Sequence, residues 1–469
     1  MMGLETVQRY APRALTAAFM FFALLTGGAS LEGELAQAAF FAVSGVIATA
    51  LFVFAKPWWQ GPVLTVFGFW IVLVLIVLLS LFPLPGSVWS RLPDRDVALR
   101  GLEALGLSAS GAPLSLAPET TLASLLAFLA PAAGFCLVAA LKWSRCAGLL
   151  KWLIPACGAL SALLGLAQVI LGKSSGLYFY EFTAFGSPVG VFSNPNHQAS
   201  FLLMGLPFVA VIASELRRDW EGRDEDVALA LVAGVLGLLL IAGVLGAGSA
   251  AGYLLLAPVI LLSAPLLLGG QRGSGGGMRG LLIVPAIFVF AGAVIFGSPR
   301  LSGLGFTSFD DGAMSRVGIN RVSAEMLETH WLAGTGLGTY EDVFRLYEDP
   351  ATVSQTYAAH AHNDYFEWLI ETGLAGGLLL AAFLAWFLFH VGRLWTGSKS
   401  GALSLRRAAS IAGLVPILHS LVDYPLRTPG IAAVAAMCLA LMIVPRARAK
   451  APLPEAGEGA SQPLRTVTI

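Results

Sequence analysis

Hydrophobic positions along this chain come in unbroken blocks, with polar positions pushed into the gaps between them; neither a strand-like alternation nor a one-sided helical stripe dominates. A bilayer core takes roughly 20 apolar residues per helix. On that measure the blocks predict about twelve spanning helices, centred on residues 12–31, 36–55, 61–82, 121–141, 148–171, 198–214, 227–247, 251–269, 280–297, 365–390, 408–422 and 429–445. The first block is too long for a signal peptide and is followed directly by a second, so it reads as a span.

Lys and Arg fall on alternate gaps. With the N-terminus inside, the cytoplasmic segments collect Arg9, Arg13, Lys142, Arg145, Arg217, Arg218, Arg406 and Arg407, which follows the enrichment of both residues in short cytoplasmic loops. Both termini are then cytoplasmic. The opposite side receives three larger loops, residues 83–120, 172–197 and 298–363, the first with an amphipathic piece, DRDVALRGLEALGL, suited to the interface plane. The expected fold is an all-α polytopic integral membrane protein with a large non-cytoplasmic loop. Three parts are expected: N-terminal transmembrane helices over 1–171, a second membrane domain over 172–447 that includes the loop 298–363, and a disordered cytoplasmic tail over 448–469.

Composition agrees: 57% of the 469 residues are hydrophobic and 12% charged, a balance foreign to ordinary soluble globules. The formal net charge of zero argues against nucleic acid as a partner, because phosphate backbones are held by surplus Lys and Arg. The four cysteines share no metal-type spacing.

Candidate chemistry is concentrated in YAAHAHNDYFEWLIETGLAGG, Tyr357 to Gly377, where His360, His362, Asn363, Asp364, Glu367 and Glu371 crowd the mouth of an apolar helix. Ionisable groups at membrane depth are costly and mark function. If the helix begins near Asp364, then Asp364, Glu367 and Glu371 share a face with Trp368, and His362 sits in the turn before it. A neutral His has the unperturbed pKa best suited to taking a proton from a hydroxyl. A satisfied structural His is the bland alternative, set against the company of carboxylates. Three more outer stretches contribute. In GVFSNPNHQAS, Asn196 is either a helix cap or, with His197, part of the wall of a polar cavity. In the long loop, Arg316 and Arg321 oppose the charge sorting; either pairs locally with Glu325 or Glu328, or their planar forks hold phosphate oxygens. In HSLVDYPLRTPG, Asp423 and Arg427 either pair with each other, or Asp423 orients a group such as His362 or Arg316. Gly334, Gly336 and Gly338 lack the preceding strand that a nucleotide loop needs.

In this order the outer GVFxNPNH segment, Arg followed by GTGLGTY, HAHNDYFEWLIETGLAGG and HSLVDYPLR resemble the O-antigen ligase and polymerase family of membrane glycosyltransferases. The family's signature, a His and an Asn followed nine residues later by Gly-x-x-Gly, is matched by His362, Asn363, Gly373 and Gly376. The resemblance runs over about residues 180–440. It implies an inverting transferase in the bacterial inner membrane that works without metal, nucleotide sugar or other cofactor. The implied donor is an undecaprenyl-diphosphate-linked glycan at the periplasmic face, which makes the large loop periplasmic, and the implied acceptor is a glycan hydroxyl or the lipid A core. His362 would activate or orient the acceptor hydroxyl and Arg316 would hold the leaving diphosphate, with Arg321, His360, Asn363, Asp364, Glu367, Asn196, His197, Asp423 and Arg427 binding substrate. One position departs from the family: where members often carry Ser-Arg-Ala-Gly, this chain has Ser249, Ala250, Ala251 and Gly252, so either Arg321 or Arg427 takes over a phosphate contact or the chain is a natural or engineered version with weakened activity. Transfer to protein hydroxyls is an alternative within the family. A transporter or flippase is the alternative outside it, but transporters place charges near the midplane of repeated halves, and this chain gathers polarity at one face.

Overall fold

The computed structural model describes residues 4–29, 34–55, 61–107, 111–141, 143–268, 316–353, 358–396 and 401–444. The expected span at 280–297, the start of the long outer loop and the tail from 448 lie outside the described residues.

The described chain is helical apart from one short ladder. Its first half comprises α1 (Leu4–Thr26), α2 (Glu34–Phe54), α3 (Pro62–Ser80), the short α4 (Gly86–Trp89), α5 (Asp96–Ala104), α6 (Pro118–Ser124), α7 (Leu129–Ala140) and α8 (Trp143–Leu171). The second half comprises α9 (Pro195–Arg218), α10 (Asp224–Gly246), α11 (Ala250–Leu267), α12 (Arg316–His330), α13 (Tyr340–Tyr347), α14 (Asp364–Thr396), α15 (Gly401–His419) and α16 (Pro429–Ile443). Strands β1 (Pro83–Leu84) and β2 (Ala112–Pro113) pair antiparallel and close the segment between α3 and α6. Eight described helices are long and apolar enough to cross a membrane, and Tyr10–Thr26 and Pro429–Ile443 are shorter apolar helices.

Helix α9 is the axis, packed by α8, α10, α11 and α15; α7 lies against α2 and α16. In lipid the apolar effect does not drive helices together, so close backbone approach and packing must. The α7–α16 crossing shows this: a Cβ on Gly134 would stand 2.6 Å from the Ala433 carbonyl oxygen. The outward faces of α3 and α10 keep large apolar residues such as Ile71, Leu79, Leu231 and Leu238 exposed, as a lipid-facing surface requires.

The C-terminal ends of α1, α3, α8 and α15 and the N-terminal ends of α9, α14 and α16 gather at one end of the bundle, tied by bonds such as Gly430 N–H to the Gly27 carbonyl (2.7 Å). A cap covers that end. Its first part is the α3–α6 segment, whose amphipathic stretch forms α5 with no buried residue. Its second part, α12 and α13, packs on the start of α14 through Ile319, Met326, Tyr340, Val343, Phe344 and Ile370. The two parts are pinned together: Asp94 accepts from Tyr347 Oη at 2.8 Å and bonds His330 Nε2 at 2.7 Å, and Leu116 N–H reaches the Thr335 carbonyl at 2.8 Å.

One expectation needs correction. The block at 365–390 predicts a single helix, but α14 breaks at Gly373, where φ is +60° and ψ −156°. The Ala333–Gly334 backbone passes so close that a Cβ there would meet Gly334 N at 2.7 Å. Hence the first Gly of the Gly-x-x-Gly pair lets a strap lie across the helix, and the break detaches Asp364–Thr372 as a short polar helix facing the cap.

Candidate active site

The site is built on the turn before α14. Asn363 caps the helix: its Oδ1 accepts from the Tyr365 and Phe366 N–H groups at 3.0 and 3.1 Å, and its amide donates to the Leu421 carbonyl at 3.0 Å. That double duty turns the preceding residue, and His362 sits in the left-handed region at φ +50°, a conformation that costs a non-glycine residue energy and concentrates at functional sites. Its imidazole is thereby aimed at the α15–α16 connection, where Nδ1 lies 3.3 Å from Asp423 Oδ1. Asp423 is itself fixed: Oδ1 accepts the Tyr424 N–H at 3.0 Å, and Oδ2 accepts from the Asn196 side-chain amide. The pair is asymmetric, with Asp423 buried and the His362 side chain 25% exposed. A carboxylate that accepts from Nδ1 leaves Nε2 as the bare nitrogen, which is what proton abstraction requires.

Beside this pair lies a charge cluster. Arg427, on the 3-10 turn Pro425–Arg427, directs Nη1 to Glu367 Oε1 at 2.9 Å, Nη2 to Glu371 Oε2 at 2.8 Å and Nε to Asp364 Oδ1 at 3.4 Å. The three carboxylates stand on one face of the short helix, at the spacings the sequence predicts. Burial alone would pull the Arg427 pKa down, but Glu367, Glu371 and Asp364 outweigh it and hold the group above its ordinary value. Ser420 Oγ donates to Asp364 at 2.6 Å, and His360 Nδ1 bonds Glu367 Oε1 at 2.8 Å. The Asp423–Arg427 pairing entertained from sequence is thus replaced by two separate partnerships, one on His362 and one on the α14 carboxylates.

A cavity of about 680 Å3 opens from this cluster. His360, Asp364, Glu367, Arg427 and Tyr340 line its polar end, and its body runs between α3, α14 and α16 past Phe69, Trp70, Phe383, Phe387 and Ala436. Such a shape, polar at one end and apolar along its length, fits a lipid with a charged or sugar-bearing head.

The remaining expected residues fall as follows. His197 is buried on α9, its Nδ1 2.9 Å from Thr428 Oγ1. Asn196 is not the cap of α9: Asn194 is, accepting the Asn196 N–H at 2.8 Å, with Pro195 in the first turn, and this frees the Asn196 side chain for Asp423. Arg321 is exposed on α12; the Arg316 backbone opens that helix, and its side chain lies outside the described residues. Ser249 caps α11 through the Gly252 N–H at 3.0 Å, which places half-buried Ala250 at its first turn. Sequence reasoning passed over Tyr424, whose ring centroid lies 4.3, 5.1 and 5.1 Å from those of His360, His362 and His197. Its position between Asp423 and Pro425 in a motif already singled out was the available signal. Among the described residues no group of three or more His, Cys, Asp or Glu is placed to hold a metal ion.

Residues 235–381 match the family model described as O-antigen ligase. The match covers 147 of the 469 residues and supports the resemblance to the O-antigen ligase/polymerase family. The match takes in Ala250, Arg321, His360, His362, the α14 carboxylates, Gly373 and Gly376, and ends before Asp423 and Arg427, so the partners of the family histidine and carboxylates come from beyond it. The match supports an O-antigen ligase-type glycosyltransferase, and the eight long apolar helices among the described residues fit a multi-pass membrane protein. No curated protein matches the chain.

Proposed function

We propose that the protein transfers a glycan from undecaprenyl diphosphate to a glycan hydroxyl at the periplasmic face of the inner membrane, as an O-antigen ligase or a polysaccharide polymerase. In this reading about twelve helices cross the bilayer, both termini are cytoplasmic, the described cap belongs to the periplasmic side, and the apolar body of the cavity takes the polyprenyl chain. The observation that carries the reading is His362: a histidine in the matched segment, held in a left-handed backbone, with Nδ1 on buried Asp423, two residues from His360 on the wall of the long, largely apolar cavity.

His362 Nε2 takes the proton of the acceptor hydroxyl as its oxygen bonds to the anomeric carbon and the bond to the diphosphate oxygen breaks, inverting the configuration. Asp423 holds the imidazole and offsets the charge it gains; Asn196 holds Asp423. The departing diphosphate needs positive charge prepositioned in a water-poor site. Arg427 is committed to three carboxylates, so Arg316 and Arg321 on α12 are assigned that role, and Asp364, Glu367 and Glu371 shape the sugar-binding end. Nothing in this sequence of steps calls for a metal or cofactor.

The test uses purified protein in lipid with an undecaprenyl-diphosphate-linked glycan, alone and with lipid A core. Longer lipid-linked glycan identifies a polymerase, and glycosylated core a ligase. If neither forms with both substrates present, the transferase reading fails, and movement of the lipid-linked glycan across the bilayer becomes the activity to measure.

A further inference from the structure

A second histidine in this site is built like the first. His360 Nδ1 lies 2.8 Å from Glu367 Oε1; Glu367 is buried, its Oε2 accepts the Ala361 N–H at 2.9 Å, and Oε1 also pairs with Arg427 Nη1 at 2.9 Å. A carboxylate with donors on both oxygens accepts from the imidazole, so Nδ1 of His360 carries the proton and Nε2 carries a lone pair. Among the described residues Nε2 has no hydrogen-bond partner, although it is buried and His360 lines the cavity. The neighbouring donors are spent: Ser420 on Asp364, the Trp368 indole on the Gly376 carbonyl, Arg427 on its three carboxylates. Buried acceptors are satisfied in nearly all native structures, and because His360 lines the cavity, a ligand held there can supply the donor.

Two histidines with the same Nδ1 arrangement therefore flank one ring, Tyr424, at 4.3 and 5.1 Å between centroids. We propose that His360 Nε2 receives a second hydroxyl of the acceptor sugar, next to the one delivered to His362, and so decides which hydroxyl is glycosylated. The ring tilts about its Glu367 bond to bring Nε2 to the cavity wall. His360 is thus a specificity-determining residue. The inference rests on the transferase function proposed above.

Two substitutions separate this role from a purely structural one. His360→Asn keeps a donor where Nδ1 was, and with it the Glu367 bond, but removes the acceptor; His360→Gln can place an amide oxygen where Nε2 was but gives up the Glu367 bond. With undecaprenyl-diphosphate-linked glycan as donor and the free glycan released from it as acceptor, the expected result for His360→Asn is an acceptor KM raised about tenfold, one hydrogen bond's worth, with donor KM unchanged and more than one linkage in the product. His360→Gln should retain the single linkage. An unchanged acceptor KM and a single linkage in His360→Asn, with the damage falling on His360→Gln instead, would overturn the proposal. A second readout needs no turnover: in wild type with 15N-labelled histidine, free glycan should shift the His360 Nε2 resonance, and an unmoved resonance also overturns it. A protein that transfers nothing while that resonance moves loses the transferase reading alone.

Discussion

Replacing Arg427 tests how the polar end of the site is held together. Arg427→Met keeps the length of the side chain and removes the only guanidinium that, among the described residues, pairs with Asp364, Glu367 and Glu371. The Glu367 and Glu371 side chains are 1% or less exposed, so neither can recover its hydration by turning to water. Removing one partner of a buried ion pair costs about 3–5 kcal/mol, because the other charge is left uncompensated. Here two buried carboxylates lose their main partner, and among the described residues a third, Asp364, keeps the Ser420 hydroxyl and the more distant His360, so a loss of about 3 kcal/mol is expected. Three kcal/mol is a factor of more than a hundred in a folding equilibrium. The assay is fluorescence-detected thermal unfolding of purified protein in lipid nanodiscs, where Arg427→Met should melt several degrees below wild type. Arg427→Lys should fall between them, since a single ammonium cannot serve three carboxylates as the planar fork does. The double variant Arg427→Met with Glu371→Gln should regain part of the loss by removing one stranded charge. A melting temperature for Arg427→Met within a degree of wild type, or a double variant no better than the single, would refute the reasoning.

Other expectations follow from single positions. Ala250→Arg, which restores the family residue at the first turn of α11 next to the Asn196–Ala199 end of α9, should raise turnover in the transfer assay; unchanged or lower turnover counts against a diphosphate contact there. Gly373→Ala places a Cβ 2.7 Å from the passing backbone at φ +60°, and should cost ~1–3 kcal/mol of stability, visible as a lower melting temperature. His330 links the two parts of the cap. Burial holds its pKa below the ordinary imidazole value, only partly offset by Asp94, while Arg95 pushes the same way as burial. The folded state therefore binds this proton more weakly than the unfolded chain, so stability is complete above about pH 6.5 and falls as the pH drops below it. His330→Gln should flatten that slope in melting curves between pH 7 and 5.

The all-helical, membrane-type character was readable because lipid solubility leaves a blunt mark in long apolar blocks. The start of α14 was readable for a local reason, since a cap and carboxylates at spacings of three and four lie within one short stretch. Pairings across the fold were not. Asp423 and Arg427 sit four residues apart and look like natural partners, yet one turns to His362, 61 positions away, and the other to Glu371, 56 positions away. Only the path of the chain through α15 decides that. The α9 cap was misjudged for want of a local rule: in Ser-Asn-Pro-Asn the Pro belongs in the first turn, so the cap must be Asn194 and Asn196 is released to the site. The break at Gly373 depends on a strap from a distant loop, which periodicity within α14 does not record.

The most direct test of the proposed chemistry is a mutant cycle on His362 and Asp423, measuring transfer from an undecaprenyl-diphosphate-linked glycan at saturating donor. His362→Ala and Asp423→Asn should each lower turnover by about 10²–10⁴-fold, with donor KM little changed, and the double variant should be no slower than the worse single, because the two act as one unit. Turnover retained in His362→Ala, or effects that multiply in the double variant, would contradict a histidine that works through its carboxylate.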